Sequence, residues 1–394
     1  MSYKNPLHNE RWVVWMGEKA TLDSGLEKPS GYPDSLIRQA VLGWYDVQTQ
    51  TAQTMPLPYV FVYRERIPEW DAGSFEKLPP VFGLDGDYAY VVYPDEPTVL
   101  HRIDLRTRQQ TELQLPRETF SDYRGQTLSI QHGVLALQPD DEGNRSVFHF
   151  YDLTTDTPFH FESVRDYKWK ANRRWVVWYD SRNDRLLVYD RNAKAVKQFD
   201  ELKDVLDQLL VGDWLVYDTF LTDGSVYALH LETGRRQTIL TDGLVREAFP
   251  DEQKVLLMGR VTQEALDRVE YYVYDLAAQR LMPFTALNQL TSRQTRDLKA
   301  FMDIDGRIYF VSRNSGDYGQ QVYLLDWERG QLLGYYDLGA DRSGLYEWIG
   351  IYRGELTVLW HQQNDDPALN KVKILHVPSD LFAESWNKFE GVSE

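Results

Sequence analysis

A chain of 394 residues with no cysteine and a net charge of −17 excludes disulfides, thiolate metal sites and cysteine nucleophiles. Its negative field repels nucleic-acid phosphates and anionic lipid heads, so neither a nucleic acid nor a membrane surface is an expected partner. The 12 Trp and 25 Tyr suit half-buried pleated surfaces, where flat rings pack well, and an all-β fold is the first expectation.

The N-terminus shows no basic segment leading into an apolar one, and no run approaches the ~20 apolar residues of a membrane span. The sequence as written predicts a soluble cytoplasmic protein, or the mature form of an exported one whose leader was removed. The first predicted strand is "RWVVW" (Arg11 to Trp15), a phrase that returns at Arg174 to Trp178. After the first copy comes Gly17 to Gln39, rich in Gly, Pro, Ser and charge, which predicts a long loop. A second insertion, Tyr59 to Pro80, carries its own apolar run and predicts an extra strand or a flap.

From there the chain repeats. Strand-like phrases end at Asp46, Asp104, Asp152, Asp190, His230, Asp275, Asp326 and His376. Their spacing averages about 47 residues, the length of one four-stranded propeller blade. Upstream of each phrase stands a turn such as Asp85-Gly86-Asp87 or Gly212-Asp213 and then a run such as Trp175-Val176-Val177-Trp178. Gly in these turns supplies the positive φ of a tight hairpin. Apolar residues at successive positions mark strands buried on both faces. The recurring acid reads as punctuation, its carboxylate accepting backbone N–H groups two residues on, and His230 and His376 read as polar turn residues in the same slot.

Two segments stand apart. Asp200 to Leu210 predicts a helical turn running into a short strand. The tail from Pro378 to Glu394 places Phe382, Trp386 and Phe389 on one helical face, so a short C-terminal helix is expected and the last blade is left without an outer strand. Eight units predict a single-domain β-propeller of eight four-stranded blades, and the irregular ends leave seven open.

Two units, Val176 to Lys194 ("VVWYDSRNDRLLVYDRNAK") and Phe310 to Gln331 ("FVSRNSGDYGQQVYLLDWERGQ"), resemble the TolB-type, WD40-like bacterial propeller repeat. The resemblance implies blade architecture and a binding role, and fold by itself does not fix function.

No nucleophile elbow, zinc-binding His-Glu-x-x-His, P-loop or dinucleotide Gly-rich turn occurs. The eight His are scattered, although His149 and His160 flank one hairpin and could face each other. The loops between second and third strands are acidic: Pro94–Thr98, Pro139–Arg145, Asp180–Asp184, Thr222–Gly224, Ser315–Gln320 and Asn364–Asn370. Their oxygens suit calcium, though no loop has the spaced acids of an EF-hand.

A non-catalytic scaffold is therefore expected, holding a protein, peptide or glycan on its loop face or in its channel. Trp178, Tyr318 and Trp360 are the candidate aromatic anchors, with Asp180, Arg182, Arg313 and His361 beside them. The alternative is a calcium-type, metal-assisted hydrolase or lyase at the channel mouth. The contrast between the two copies of "RWVVW" puts the emphasis on the enlarged loops of the first unit.

Overall fold

The computed structural model describes residues 6–63, 75–116, 128–137, 146–163, 169–180, 183–200, 202, 205–219, 224–259, 270–290, 296–313, 321–337, 345–362, 371–378 and 380–382. Strands follow one another as antiparallel meanders in eight sheets. Sheet I holds β1 (Leu7–His8), β2 (Trp12–Lys19), β3 (Ile37–Asp46), β4 (Thr51–Tyr63) and β5 (Phe75–Lys77). Sheet II holds β6 (Val81–Asp85), β7 (Tyr88–Val92), β8 (Val99–Asp104) and β9 (Gln110–Gln114). Sheet III holds β10 (Leu128–Gln131), β11 (Val134–Leu137), β12 (Ser146–Asp152) and β13 (Thr157–Ser163). Sheet IV holds β14 (Trp169–Ala171), β15 (Trp175–Asp180), β16 (Arg185–Asp190) and β17 (Ala195–Phe199). Sheet V holds β18 (Val205–Val211), β19 (Trp214–Thr219), β20 (Val226–His230) and β21 (Arg236–Leu240). Sheet VI holds β22 (Gly243–Ala248), β23 (Lys254–Gly259), β24 (Tyr271–Asp275) and β25 (Arg280–Pro283). Sheet VII holds β26 (Arg296–Met302), β27 (Ile308–Arg313), β28 (Gln321–Asp326) and β29 (Gln331–Asp337). Sheet VIII holds β30 (Leu345–Tyr352), β31 (Glu355–Gln362) and β32 (Lys371–Pro378).

This is an eight-bladed β-propeller. Blade size departs from the uniform expectation at both ends, since sheet I has five strands and sheet VIII three. Among the described residues no sheet mixes strands from the two chain ends.

The chain groups into two units, one of residues 1–165, 344–349 and 359–374 and the other of 166–343, 350–358 and 375–394. In the first, β6 neighbours both β1 and β10; in the second, β14, β18, β22 and β26 neighbour in turn. First strands thus meet first strands, as the inner edges of successive blades do. Second strands are buried on both sides. In β19, Leu215 and Tyr217 join Trp175 and Val177 of sheet IV, while Val216 joins Val245, Val255 and Leu257 of sheet VI. Each such side chain contributes about 1.5–3 kcal/mol of burial.

The recurring acid does what turn chemistry demands. The Oδ1 atoms of Asp46, Asp104, Asp152, Asp190, Asp275 and Asp326 accept backbone N–H bonds from residues two or three further on. His230 takes the same role through Nδ1, 3.4 Å from the Thr233 nitrogen. His376 does not: it lies within β32, its Nδ1 3.3 Å from Thr357 Oγ1, because the strand runs on to Pro378. Four residues beyond each of the seven turn acceptors the backbone enters the left-handed region, at Gln50, Arg108, Asp156, Lys194, Gly234, Gln279 and Gly330. Only two of these are glycine. The side-chain bond holds a conformation that costs other residues about 1–2 kcal/mol.

Turns between first and second strands carry a different device, which links neighbouring sheets. Asn9 and Asn172 each accept two backbone N–H bonds through Oδ1, from Arg11 and Trp12 and from Arg174 and Trp175. Their Nδ2 atoms donate to the next sheet, to Gly86 O at 2.8 Å and Gly212 O at 2.7 Å. Trp12 and Trp175 donate from Nε1 to Asp87 and Asp213, and Arg11 and Arg174 stack on those rings at 4.7 and 4.5 Å. Elsewhere a carboxylate performs the link. Asp85 accepts from the His132 and Gly133 amides, and Asp303 from those of Arg353 and Gly354.

The first insertion is corrected at its edges. Gly17–Lys19 and Ile37–Gln39 belong to β2 and β3, leaving residues 20–36 as the connection. They continue as strands because Ile37, Val60 and Val62 form a small core under Leu22, Leu26 and Leu36. Gln39, 1% exposed, bonds Leu57 O and Asp23. The second insertion supplies the expected extra strand, β5, while Tyr59–Tyr63 completes β4. His149 and His160 are cross-strand partners between β12 and β13. Val205–Val211 is a strand as expected, whereas the helical turn ahead of it falls on 201 and 203–204, outside the described residues. Asp380, Leu381 and Phe382 form the start of the expected C-terminal helix, and Trp386 and Phe389 lie outside the described residues. Phe382 is fully buried and 6.0 Å from the Tyr336 ring of β29. The approach requires Gly334, where a Cβ would stand 1.7 Å from the Phe382 carbonyl oxygen.

Candidate functional site

Three successive inner strands of the second unit break regular pairing. In β18, Val205 pairs with Thr219 and Gln208 with Tyr217, so Leu206 and Asp207 together oppose Asp218. In β22, Val245 pairs with Leu257 and Glu247 with Leu256, so Arg246 is one residue too many. In β26, Arg296 pairs with Arg313 and Lys299 with Val311, which leaves two residues opposite Ser312. Bulges of this kind twist a strand and re-aim its side chains, and they concentrate beside functional sites.

Asp218 fixes two of them. Its carboxylate is fully buried, accepting at Oδ1 from the Asp207 amide (3.0 Å) and at Oδ2 from the Val245 amide of the next sheet (2.8 Å). Burial pushes this carboxyl above its ordinary range despite the two donors. The one acid inside the strand "WLVYDT" is a sequence signal that could have pointed to this arrangement, and it went unread.

The bulged wall carries charge. Asp207, Arg246, Lys299 and Lys170 of β14 are exposed. Glu247 Oε2 lies 3.1 Å from Lys299 Nζ, with the glutamate side chain 19% and the lysine 56% exposed. Burial raises the Glu247 carboxyl above its usual range, opposed by Lys299 and by the field of Lys170. Arg246 has a softer partner, Met258 Sδ at 2.9 Å.

The residues expected from sequence fare differently. Trp178 and Trp360 are 0% and 2% exposed, so the expectation that their rings project as anchors is corrected: both sit in second strands buried between neighbours. Asp180, 1% exposed, organises its own loop. Burial pushes its carboxyl up, and bonds from Asn183 and Arg185 outweigh that and hold it low. Arg182 and Tyr318 lie outside the described residues. Arg313 ends β27 and His361 lies in β31, positions described by backbone alone. Of the acidic loops, Pro139–Arg145, Ser315–Gln320, Asn364–Asn370 and all of Thr222–Gly224 but Gly224 fall outside the described residues. Among the described residues no three His, Asp or Glu side chains are grouped to hold a metal ion, and no helix is long and apolar enough to cross a membrane.

No family model matches the chain, and no curated protein does. Solved structures share the fold at low similarity. The β-propeller domain of the Trilobed protease from Pyrococcus furiosus is 13% identical over 75% of this chain and 96% of its own, with a TM-score of 0.47. Kluyveromyces lactis Hsv2 is 13% identical over 75% of this chain and 98% of its own, at 0.43. An acylaminoacyl peptidase from Pyrococcus horikoshii is 13% identical over 78% of this chain and 52% of its own, at 0.44.

Proposed function

We propose that the protein is a binding scaffold whose inner wall in sheets IV to VII takes an extended segment of a protein, peptide or glycan. The observation behind this reading is the run of three bulged inner strands. Regular pairing would serve a purely structural blade, whereas these bulges leave Asp207 and Arg246 exposed on strands that Asp218 ties together, with Lys299 exposed on the bulged strand beside them. Side chains preorganised in this way bind with little further loss of freedom. The resemblance to the TolB-type repeat is part of the same proposal.

Peptide-display and glycan arrays probed with the full chain test it. A ligand found on either array should bind at least about tenfold more weakly to an Asp207→Ala/Arg246→Ala variant, the loss of one good charge-assisted bond. If every array ligand binds that variant as tightly as the unchanged chain, the wall is not the contact surface. If binding instead disappears when residues 20–36 are replaced by a short Gly-Ser connection, the site belongs to sheet I.

A further inference from the structure

We propose that the ligand of this wall presents an oxyanion, a carboxylate or a phosphate, to Lys170 and Lys299, and that it enters by displacing Glu247 from Lys299. The inference rests on the reading of the inner wall as the contact surface and names the chemistry that surface selects.

The chain as a whole repels anions, with 60 acidic residues against 43 basic ones. The described charged side chains of β14, β18, β22 and β26 reverse that balance: Lys170, Arg246 and Lys299 against Asp207 and Glu247. An anion meets one net positive charge there in place of the negative balance of the whole chain.

Exposure within the ion pair points the same way. Lys299 is the open partner and Glu247 the covered one. A ligand thus meets the Lys299 ammonium before the Glu247 carboxylate that pairs with it. Arg246 adds a guanidinium that is hydrogen-bonded to the Met258 thioether sulfur and lies in the field of the Asp218 carboxyl, and guanidinium groups match planar oxyanions.

Among the described residues, the charged groups acting on the Glu247 carboxylate are Lys299 on β26 and Lys170 on β14, with the Ala248 amide donating from its own strand. When an anion takes Lys299, Glu247 loses its main counter-charge and faces a second negative group. Its affinity for a proton then rises further, so binding takes up a proton and strengthens as pH falls. Glutamine at this position removes both the competition and the titration.

Isothermal titration of the full chain with inorganic phosphate and, separately, succinate at low ionic strength tests this, and the two arms separate phosphate from carboxylate selectivity. One of the two should bind, with affinity increasing toward acid. Lys170→Met and Lys299→Met should each weaken it about tenfold, and Glu247→Gln should strengthen it at neutral pH and flatten the pH dependence. Lysines this exposed can be truncated without unfolding, and an unchanged thermal midpoint verifies that. Absence of heat with both anions overturns the proposal. So does binding by both lysine variants as tight as that of the unchanged chain, which would mean an adventitious ion only, or weaker binding by Glu247→Gln. If an array ligand depends on Asp207 and Arg246 while neither lysine matters, the wall reading stands and the oxyanion inference falls.

Discussion

Sheets I and IV are written with the same clasp and finished differently. Asn9-Glu10-Arg11-Trp12 and Asn172-Arg173-Arg174-Trp175 make matching bonds: the asparagine to two amides and to a carbonyl of the next sheet, the tryptophan to an aspartate of the next sheet, the arginine to the acid that closes the third strand. At the opposite end of the strands the likeness ends. Sheet IV turns within a few residues, from Asp180 to Arg185, whereas β2 and β3 run further, carry residues 20–36 between them over a small core, and are followed by a 13-residue β4 and a fifth strand. One end of the blade is thus held by specific bonds, and length is free to accumulate at the other.

Removing the tryptophans tests the equivalence most severely. Trp12→Ala and Trp175→Ala should each cost about 3–5 kcal/mol, read from the midpoint of urea unfolding. A tolerant site in one sheet would show that the two clasps are alike only in drawing. Asn9→Ala and Asn172→Ala come next, at about 2 kcal/mol each, since two amides and one carbonyl lose partners; Asn→Asp at either site should recover most of that by restoring the acceptor. Shortening residues 20–36 to a connection of sheet IV length should cost about 1–2 kcal/mol by uncovering Ile37 and Val62. That cost should add to the loss from Trp12→Ala with little coupling, because the two ends share no partner; strong coupling would refute the division of labour.

The smallest expected difference is a matter of pH. His101, 3% exposed in sheet II, lies 4.4 Å from Tyr93, which stacks on Tyr59 of sheet I. Burial holds its imidazole below the usual range, with Glu112 and Glu96 opposing. The unfolded chain therefore protonates first, and stability is lost as pH falls from about 6.5. Sheet IV contains no histidine. His101→Gln should flatten the decline, measured as urea midpoints between pH 7.5 and about 5; an unchanged slope would assign the acid sensitivity to another group, of which His376, also lowered by burial, is the first to test.

The propeller was legible because its signals are local. An acid that closes a strand accepts amides two and three residues away, and a strand between two neighbours must be apolar at every position. The clasp was not legible, because Asn9 and Asn172 act on residues 77 and 40 positions distant, and Asn-x-Arg-Trp alone does not announce a partner. The wall of sheets IV to VII was missed for a related reason. A bulge is a mismatch between two strands, so Arg246 becomes an extra residue only once Val245 and Glu247 have paired with Leu257 and Leu256. The same apolar run that marked the strand around Trp178 misled at the next step, since a ring within it is covered by the blade it defines.

The seven left-handed turn residues have one more consequence. Gln50, Arg108, Asp156, Lys194, Gly234, Gln279 and Gly330 are all exposed, and each stands four positions after the side chain that caps its turn. They are pedestals of one shape bearing an amide, a guanidinium, a carboxylate, an ammonium or nothing at all. Three of these side chains also reach out of their turn, Arg108 donating to Gln53, Asp156 accepting from Tyr151 and Gln279 accepting from Arg235, so one turn geometry carries different contacts from blade to blade.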